Sequence, residues 1–407
     1  MTSTAVAGAA QEGADEAPMR LTVKVALVLL GVAVIVLWLR GSIRPASIQL
    51  FKIQADAFLH GHLDLGRVYP DTALFGGRTF IPLGPLPALL MVPLEAIGGP
   101  AANEVWLEVV SLALTIPTLS ALFRELGFEA VLDRALLTVA SICGSTYVAA
   151  LTLNSSYYVA SLVVVALLSM ALLRSLQGRQ PLLCGLLVGL AAMTRAPALL
   201  ALVPVAVLQA SAHPQRRAQA LALVTAAVVP SLVVVAVFNQ LRFGTPFESG
   251  YGLQTLLFPP LRAARAQGLF SAVHLPKNLY YFLLSPPAVN GGENAPVVAF
   301  PWLHPSDWGT GVVWLSPWVL WGLAARGRRA AVLAGGVLLI VLPSLFYYGI
   351  GWIQFGYRYA LDALPFMAAL AAVGLRRTNQ GTLFRAAVGY SVIVNLLGAA
   401  WLIARVY

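Results

Sequence analysis

Long apolar runs recur from one end of this chain to the other, and most are about long enough to cross a bilayer as a helix. An α-helix satisfies its backbone hydrogen bonds internally, so it is the element that such runs form in lipid. The composition agrees, because 59% of the 407 residues are hydrophobic and only 10% are charged. Soluble domains carry about 25% charged residues. The sequence therefore predicts an all-α polytopic membrane protein.

The apolar runs predict about eleven transmembrane helices, each near the length that spans a bilayer. They lie at residues 21–40, 104–123, 134–152, 156–173, 182–194, 197–211, 218–238, 311–325, 330–349, 359–375 and 386–404. The stretch 80–98 is also apolar, but each of its four prolines removes a backbone donor and disturbs a helical turn. We therefore expect it to form a helix that lies at the outer surface or dips into it.

Arginines in the short connectors predict the orientation. The connectors that carry them follow every second span and lie at residues 124–134, 174–179, 213–217, 326–329 and 376–385. The positive-inside rule places them in the cytoplasm. Residues 1–20 are then predicted to be a disordered cytoplasmic tail before a single transmembrane domain, 21–407. Its two large loops, 41–103 and 239–310, are predicted to lie outside.

The net charge of +10 does not indicate nucleic-acid binding, because the arginines stand at the ends of apolar runs instead of gathering on one segment. The chain has no glycine loop of the kind that cradles phosphate on a strand-to-helix turn, which argues against a cytoplasmic nucleotide substrate. The compact composition, rich in Ala, Leu, Val and Arg, favours a prokaryotic plasma membrane.

Polar residues recur in KIQADAFLHGHLDL, shortly after the first span. We expect a helix over 48–60 that ends before Gly61, since glycine suits the left-handed position after a helix. Lys52, Asp56 and His60 would then follow one another at i, i+4 and i+8. A carboxylate between a cation and an imidazole can take a proton from a hydroxyl group. The alternative is the ordinary polar face of an amphipathic helix whose apolar side rests on the membrane.

Four further stretches stand in the order GGRTFIPLGPLPALLMVP, GLLVGLAAMTRAPALLALVP, NQLRFGTPFESGY and FGYRYALDALPFMAAL. Together with the first outer loop they resemble the GT-C superfamily of integral-membrane glycosyltransferases, over roughly residues 20–375. The nearest branch includes polyprenyl-phosphate-sugar-dependent protein mannosyltransferases and aminoarabinose transferases. The resemblance implies a GT-C-like bundle of transmembrane helices with an outer loop that bears amphipathic helices.

The resemblance also implies an activity. Such enzymes move a sugar, here hexosyl or pentosyl, from a polyprenyl-phosphate carrier to an acceptor hydroxyl on the extracytoplasmic face, usually with inversion. An acidic residue in the first outer loop activates the acceptor, and Asp56 matches that position. Many relatives carry two adjacent acidic residues there, whereas this chain has Ala-Asp-Ala. Because the metal-dependent members need several acidic ligands, we expect no cofactor and disfavour a divalent metal.

Two arginines are candidates for holding the carrier phosphate. Arg195, in AAMTRAP, lies in a short outer link, and Arg358, in FGYRYALD, opens a span from the outside. A guanidinium binds phosphate oxygens bidentately. The alternative for each is an interfacial cation that snorkels to water. Lys52 and Arg67 are further phosphate candidates, or ordinary surface charges.

Four residues are possible substrate contacts: His60, Tyr357, Tyr359 and Glu248. The two tyrosines are sugar-stacking rings or interfacial anchors. Glu248 contacts the acceptor or is a solvated loop residue. His60 and His62 also have the spacing of a metal-ligand pair, which we disfavour because the imidazoles need not converge if the helix ends between them.

The sequence thus predicts a glycosyltransferase whose partners are a polyprenyl-phosphate sugar, a lipid, polysaccharide or protein acceptor, and membrane lipids, without nucleic acid. Two alternatives belong to other classes. A transporter or flippase of lipid-linked sugars would show inverted repeats and ionisable residues at the middle of the membrane. A non-catalytic membrane scaffold would need no acid and arginines together at one site.

Overall fold

The computed structural model describes residues 30–40, 49–256, 258–289 and 303–406. Its α-helices are α1 Leu30–Arg40, α2 Leu50–Leu59, α3 Leu86–Gly98, α4 Val105–Glu125, α5 Val131–Ile142, α6 Thr146–Thr152, α7 Ser156–Leu176, α8 Pro181–Ala192, α9 Leu202–Ala212, α10 Arg217–Phe243, α11 Pro259–Ala266, α12 Leu275–Leu283, α13 Val312–Leu315, α14 Arg328–Phe346, α15 Leu364–Leu375 and α16 Gly381–Val406. The strands are β1 Ala73–Phe75, β2 Arg78–Phe80, β3 Ala288–Val289 and β4 Leu303–His304. Short 3₁₀ segments join several helices, at Gly99–Ala101, Ala196–Ala201, Tyr251–Leu253, Ala272–His274, Pro317–Ala324 and Arg358–Ala363.

Within the described residues, six helical segments are long and apolar enough to cross a membrane: α4, α7, α10, α14, α16 and Arg358–Leu375. Helices α5 and α6 form a seventh if the pair, bent by 65°, is one span. This is a multi-pass membrane protein, as predicted, but the count of eleven spans is not confirmed. The predicted spans 182–194, 197–211 and 311–325 form shorter or 3₁₀-broken helices.

Helix α7 is the centre of the bundle. About 83% of its most apolar window is buried inside the protein, whereas the same measure is 28% for α10. Helices α4, α8, α9 and α15 all pack against α7. Apolar composition alone does not separate a central helix from a peripheral one, because lipid and protein interior are similarly apolar.

Close packing explains two glycines of the GLLVGLAAMTR stretch. A Cβ atom at Gly185 would collide with the carbonyl oxygen of Val224, and one at Gly189 would press on the Ser231 hydroxyl. Both partners lie on α10, which therefore approaches α8 backbone to backbone. Small residues permit such contacts between helices in membranes.

Helix α2 confirms the predicted helix near residues 48–60, and Gly61 follows it in the left-handed region with a φ of 74°. Part of its apolar face is buried inside the protein. Phe51 and Ala55 are fully buried in a cluster with Met91 of α3 and Val159 of α7. Protein packing therefore fixes the orientation of the helix that carries Asp56.

A short hairpin follows in the same loop. Strands β1 and β2 pair antiparallel, with Ala73 opposite Phe80. The two residues of its turn, Gly76 and Gly77, both have positive φ angles, of 56° and 75°, which suits the tight turns of hairpins. A β-bridge between Ala73 and Gln254 ties the hairpin to the second large loop.

Candidate active site

The N-terminus of α2 is capped by a side chain from another helix. One oxygen of the fully buried Glu104, the residue before α4, accepts hydrogen bonds from the backbone N–H groups of Phe51 at 2.7 Å and Lys52 at 3.2 Å. The Ser156 hydroxyl donates to the same oxygen at 3.0 Å and accepts from the Leu50 N–H at 2.8 Å. A carboxylate at this position satisfies donors that the helix leaves unpaired. The beginnings of α4 and α7 thus hold α2 in place.

This cap should make stability depend on pH. Burial raises the pKa of Glu104 from 4.5 to about 7. The folded state then keeps a proton that the unfolded chain releases near pH 4.5, so rising pH lowers the free energy of unfolding between about pH 4.5 and 7, by up to about 3 kcal/mol. We expect Glu104→Gln, which is neutral throughout, to lose this dependence. Thermal unfolding in detergent from pH 4.5 to 8 measures the difference, and equal slopes in both proteins would contradict it.

Asp56 borders two open clefts. The first, of about 430 Å³, is lined in part by Lys52, Arg67, Tyr69 and Glu95. The second, of about 680 Å³, is lined in part by His60, His62, Asp64 and Arg78. We call the first the Asp56 cleft. It brings together three of the residues predicted from the sequence, namely Lys52, Asp56 and Arg67.

The Asp56 carboxylate is open to solvent. Its side chain is 58% exposed, and the Nδ1 atom of the His60 ring lies 3.4 Å from Asp56 Oδ1. Both cations of the Asp56 cleft already donate hydrogen bonds within the protein. Lys52 donates to the Pro100 carbonyl at 2.7 Å, and Arg67 donates to the Tyr69 hydroxyl at 2.6 Å. The predicted stripe Lys52–Asp56–His60 therefore exists, although Lys52 reaches toward another loop.

Arg195 and Asp362 form a buried ion pair. The Arg195 Nε atom donates to Asp362 Oδ2 at 2.7 Å, and the two residues are only 7% and 1% exposed. Among the described residues no hydrogen bond uses the terminal amino groups of Arg195. Asp362 thus holds the guanidinium by one edge and leaves its other edge available to an anion.

Arg358 lies in a cage of tyrosines. Its guanidinium carbon is 5.3 Å from the ring centre of Tyr359 and 5.7 Å from the ring centres of Tyr157 and Tyr158. Its Nε atom is buried and has no hydrogen-bond partner among the residues that the structure describes. A buried donor without a partner costs about 1–3 kcal/mol, which a bound anion would recover.

Tyr359 joins the two arginines. Its ring centre is also 5.9 Å from the guanidinium carbon of Arg195. The sequence places Arg195 and Arg358 in separate loops, and the fold brings both to one ring. We call Arg195, Arg358, Tyr359 and Asp362 the arginine cluster. It gathers positive charge at a point where tyrosine hydroxyls and rings are the other groups present.

The remaining predicted contacts fall elsewhere. Tyr357 is 5% exposed and donates to the Ser344 carbonyl at 3.0 Å, so it packs behind Tyr359. Glu248 accepts from the Gly250 N–H at 2.6 Å in a local turn. Within the described ranges, no group of three or more His, Cys, Asp or Glu side chains has the arrangement of a metal site.

Sequence reasoning did not single out Asp362, Tyr157 or Asp71. Asp362 stands four residues after Arg358 in FGYRYALD, but its partner is Arg195, 167 residues away. The carbonyl oxygen of Asp71 accepts a hydrogen bond from Tyr157, whose ring lies beside Arg358. No local pattern identifies any of the three, because each is defined by its partners in another loop or helix.

Comparison with solved structures shows the class of fold. ArnT from Cupriavidus metallidurans bound to undecaprenyl phosphate superposes with a TM-score of 0.51 at 14% identity, over 93% of this chain and 77% of that chain. The apo state of the same protein gives a TM-score of 0.52 at 13% identity, over 95% of this chain and 78% of that chain. The apo oligosaccharyltransferase of Archaeoglobus fulgidus gives a TM-score of 0.49 at 13% identity, over 93% of this chain and 55% of that chain.

ArnT is an aminoarabinose transferase with the GT-C fold. This chain therefore has a GT-C-like fold, which confirms the fold class predicted from the sequence. No family model and no curated protein sequence matches the chain. The likeness at such low identity is one of architecture, so the activity has to be argued from the site.

Proposed function

We propose that this protein is a glycosyltransferase that moves a sugar from a polyprenyl-phosphate carrier to an acceptor hydroxyl at the extracytoplasmic face of the plasma membrane. The observation that carries the proposal is the arginine cluster, set in a fold shared with a protein that binds undecaprenyl phosphate. Two guanidiniums at one ring make a site for a phosphate group. A lipid carrier suits a site within a helical bundle of a membrane protein.

The reaction we propose is a single displacement. The Asp56 carboxylate takes the proton of the acceptor hydroxyl, and the acceptor oxygen attacks the anomeric carbon. The bond from that carbon to the phosphate oxygen breaks, and its electron pair leaves with the polyprenyl phosphate. Attack opposite the leaving group inverts the anomeric configuration.

The arginine cluster stabilises the leaving group in this proposal. The carrier phosphate goes from one negative charge to two as the bond breaks, so positive groups fixed beside it stabilise the transition state more than the ground state. Asp362 neutralises Arg195 but orients it, whereas no carboxylate forms a direct ion pair with Arg358 among the described residues. Arg358 is therefore the main source of positive charge.

No step of this scheme uses a metal or cofactor. Asp56 and Asp64, two carboxylates of the first outer loop, do not form a metal-type cluster within the described residues. Proton transfer falls to Asp56 in this scheme, and charge stabilisation to Arg195 and Arg358.

Sugar transfer from a panel of radiolabelled undecaprenyl-phosphate sugars tests the proposal, with membrane extract as the source of acceptors. We expect the wild-type protein to use at least one donor. Arg358→Lys keeps the charge but loses the planar two-point contact, and we expect it to lower the rate by about 10–100-fold.

Two results would contradict the proposal. One is the absence of transfer from every donor with every acceptor extract. The other is movement of labelled lipid across reconstituted vesicles without loss of its sugar, which would favour the transporter. A non-catalytic scaffold would bind no polyprenyl-phosphate sugar, so Arg358→Lys would change nothing in this assay.

A further inference from the structure

Asp71 adopts a backbone conformation that few residues tolerate. Its φ is 60°, in the left-handed region, where Asp and Asn are among the residues found most often after glycine. Its carbonyl oxygen accepts two hydrogen bonds, from the Tyr157 hydroxyl at 2.7 Å and from the Gln254 side-chain amide at 2.9 Å. Helix α7 and the second large loop thus both hold this one peptide unit.

The neighbouring residue is held equally firmly. The Thr72 carbonyl accepts from the backbone N–H of Thr255 at 2.8 Å and from its hydroxyl at 3.0 Å. The β-bridge from Ala73 to Gln254 continues the contact. An unusual backbone conformation persists where its surroundings determine it several times over, and such places are often functional.

The Asp71 carboxylate itself is left without a partner. It takes part in no hydrogen bond or ion pair with another side chain in the described parts of the chain. It is nevertheless within electrostatic range of Arg358, Tyr157 and Tyr348. Tyr157 brings the two residues together, because its hydroxyl donates to the Asp71 carbonyl at 2.7 Å and its ring centre lies 5.7 Å from the Arg358 guanidinium carbon. The Asp71 carboxylate therefore lies near Arg358 without a direct ion pair to it.

The Asp71 side chain is exposed to solvent. Burial by the surrounding protein still raises its pKa, while the charge of Arg358 lowers it. An exposed carboxylate near an arginine, with no ion pair between them, fits a ligand that is anionic at one end and carries hydrogen-bond donors at the other.

A sugar phosphate has that character. Its phosphate belongs at Arg358, since a carboxylate repels a like charge. The hydroxyl groups of the sugar then face Asp71, because an ionised carboxylate only accepts hydrogen bonds. Asp56 lines the Asp56 cleft together with Lys52 and Arg67, and Asp71 is not part of that lining.

We propose that Asp71 binds the donor sugar, by accepting hydrogen bonds from the hydroxyl groups of the sugar whose phosphate lies at Arg358. This inference rests on the proposed function, because it takes the donor to be a polyprenyl-phosphate sugar. It assigns the two loop carboxylates different tasks: Asp56 takes the proton of the acceptor, and Asp71 selects the donor.

Equilibrium binding of two lipids to the purified full-length protein tests the inference. The probes are undecaprenyl phosphate and the undecaprenyl-phosphate sugar that the transfer assay identifies. The variant is Asp71→Asn, because Asn tolerates the left-handed backbone and keeps both hydrogen bonds to the residue-71 carbonyl. Asp64→Asn is the control, since it also removes one loop carboxylate, and Asp64 makes a local contact by accepting a hydrogen bond from the Gly66 N–H.

We expect Asp71→Asn to weaken binding of the sugar-bearing lipid by about tenfold, the effect of losing a hydrogen bond to a charged group. Binding of bare undecaprenyl phosphate should be unchanged or tighter, and Asp64→Asn should bind both lipids as the wild type does. Asp71→Gly, which removes the carboxylate and accepts the same φ, should give the same pattern.

An unchanged ratio of the two affinities in Asp71→Asn would overturn the inference, and so would equal weakening for both lipids. Failure of the proposed function gives another result, because the wild-type protein would then bind neither lipid. A thermal unfolding curve for each variant separates loss of binding from loss of folding.

Discussion

Replacing Asp56 by Asn is expected to lower the rate of sugar transfer by about 10²–10⁴-fold, the usual effect of removing a general base. The amide keeps the size and shape of the carboxyl group but accepts no proton at neutral pH. Helix α2 should stay in place, because its cap comes from Glu104 and its packing from Phe51 and Ala55. The loss should therefore fall on the chemical step and leave donor binding intact.

The matched control for this variant is Asp64→Asn. Asp64 lines the second cleft beside Asp56 and is changed in charge by the same amount. We expect its transfer rate to stay within about twofold of the wild type, as for most surface substitutions. Single-turnover transfer at saturating donor, at matched expression, measures both variants.

Transfer that survives Asp56→Asn would remove the role we give this residue. The polar residues of KIQADAFLHGHLDL would then be the ordinary polar face of an amphipathic helix, which the structure packs on α3. If the same experiment shows Asp71→Asn to be inactive in turnover at saturating donor, proton transfer belongs to Asp71.

Replacing Arg195 by Ala is expected to lower the free energy of unfolding by about 3–5 kcal/mol, because it leaves the carboxylate of Asp362 buried and unpaired. Both residues of the pair are buried, and the Arg195 Nε atom lies 2.7 Å from Asp362 Oδ2. Thermal unfolding in detergent, followed by intrinsic fluorescence, measures the loss. Transfer should also disappear, but that result alone cannot separate folding from phosphate binding.

The double variant Arg195→Met, Asp362→Leu makes the separation. Replacing both charges of a buried pair by apolar side chains of similar size is often neutral or stabilising. We expect this variant to melt close to the wild type and to transfer sugar at least about tenfold more slowly, since the phosphate loses one of its two arginines. Wild-type transfer by the double variant would show that Arg195 serves only the fold.

The fold and part of the site were predictable because their signals are local. Apolar runs predict helices, and the proline-rich stretch before α4 predicts that no long straight helix forms there. The i, i+4 spacing of Lys52 and Asp56, with Gly61 after them, predicts α2. Arg195 and Arg358 were predictable as unusual cations at the ends of apolar runs.

Three features were not predictable in this way. Apolar runs do not predict the number of spanning helices where a helix is bent, as between α5 and α6, or replaced by 3₁₀ turns, as at Pro317–Ala324. The apolar residues of α2 do not show in the sequence whether they pack against protein or against lipid. The cap joins Glu104 to Phe51 and Lys52, which precede it by 53 and 52 positions in the sequence.

The amino-acid sequence is enough to predict that this chain forms apolar helices in a membrane, that α2 ends before Gly61, and which cations stand at the helix ends. These properties depend on hydropathy, on glycine and on side-chain spacing within a few turns. The tertiary structure alone brings Arg195 to Asp362, Tyr359 beside both arginines, and Asp71 to the tyrosine that contacts Arg358. The physical reason is that charge pairing and burial depend on distances in space, and the helices that set those distances are far apart along the chain.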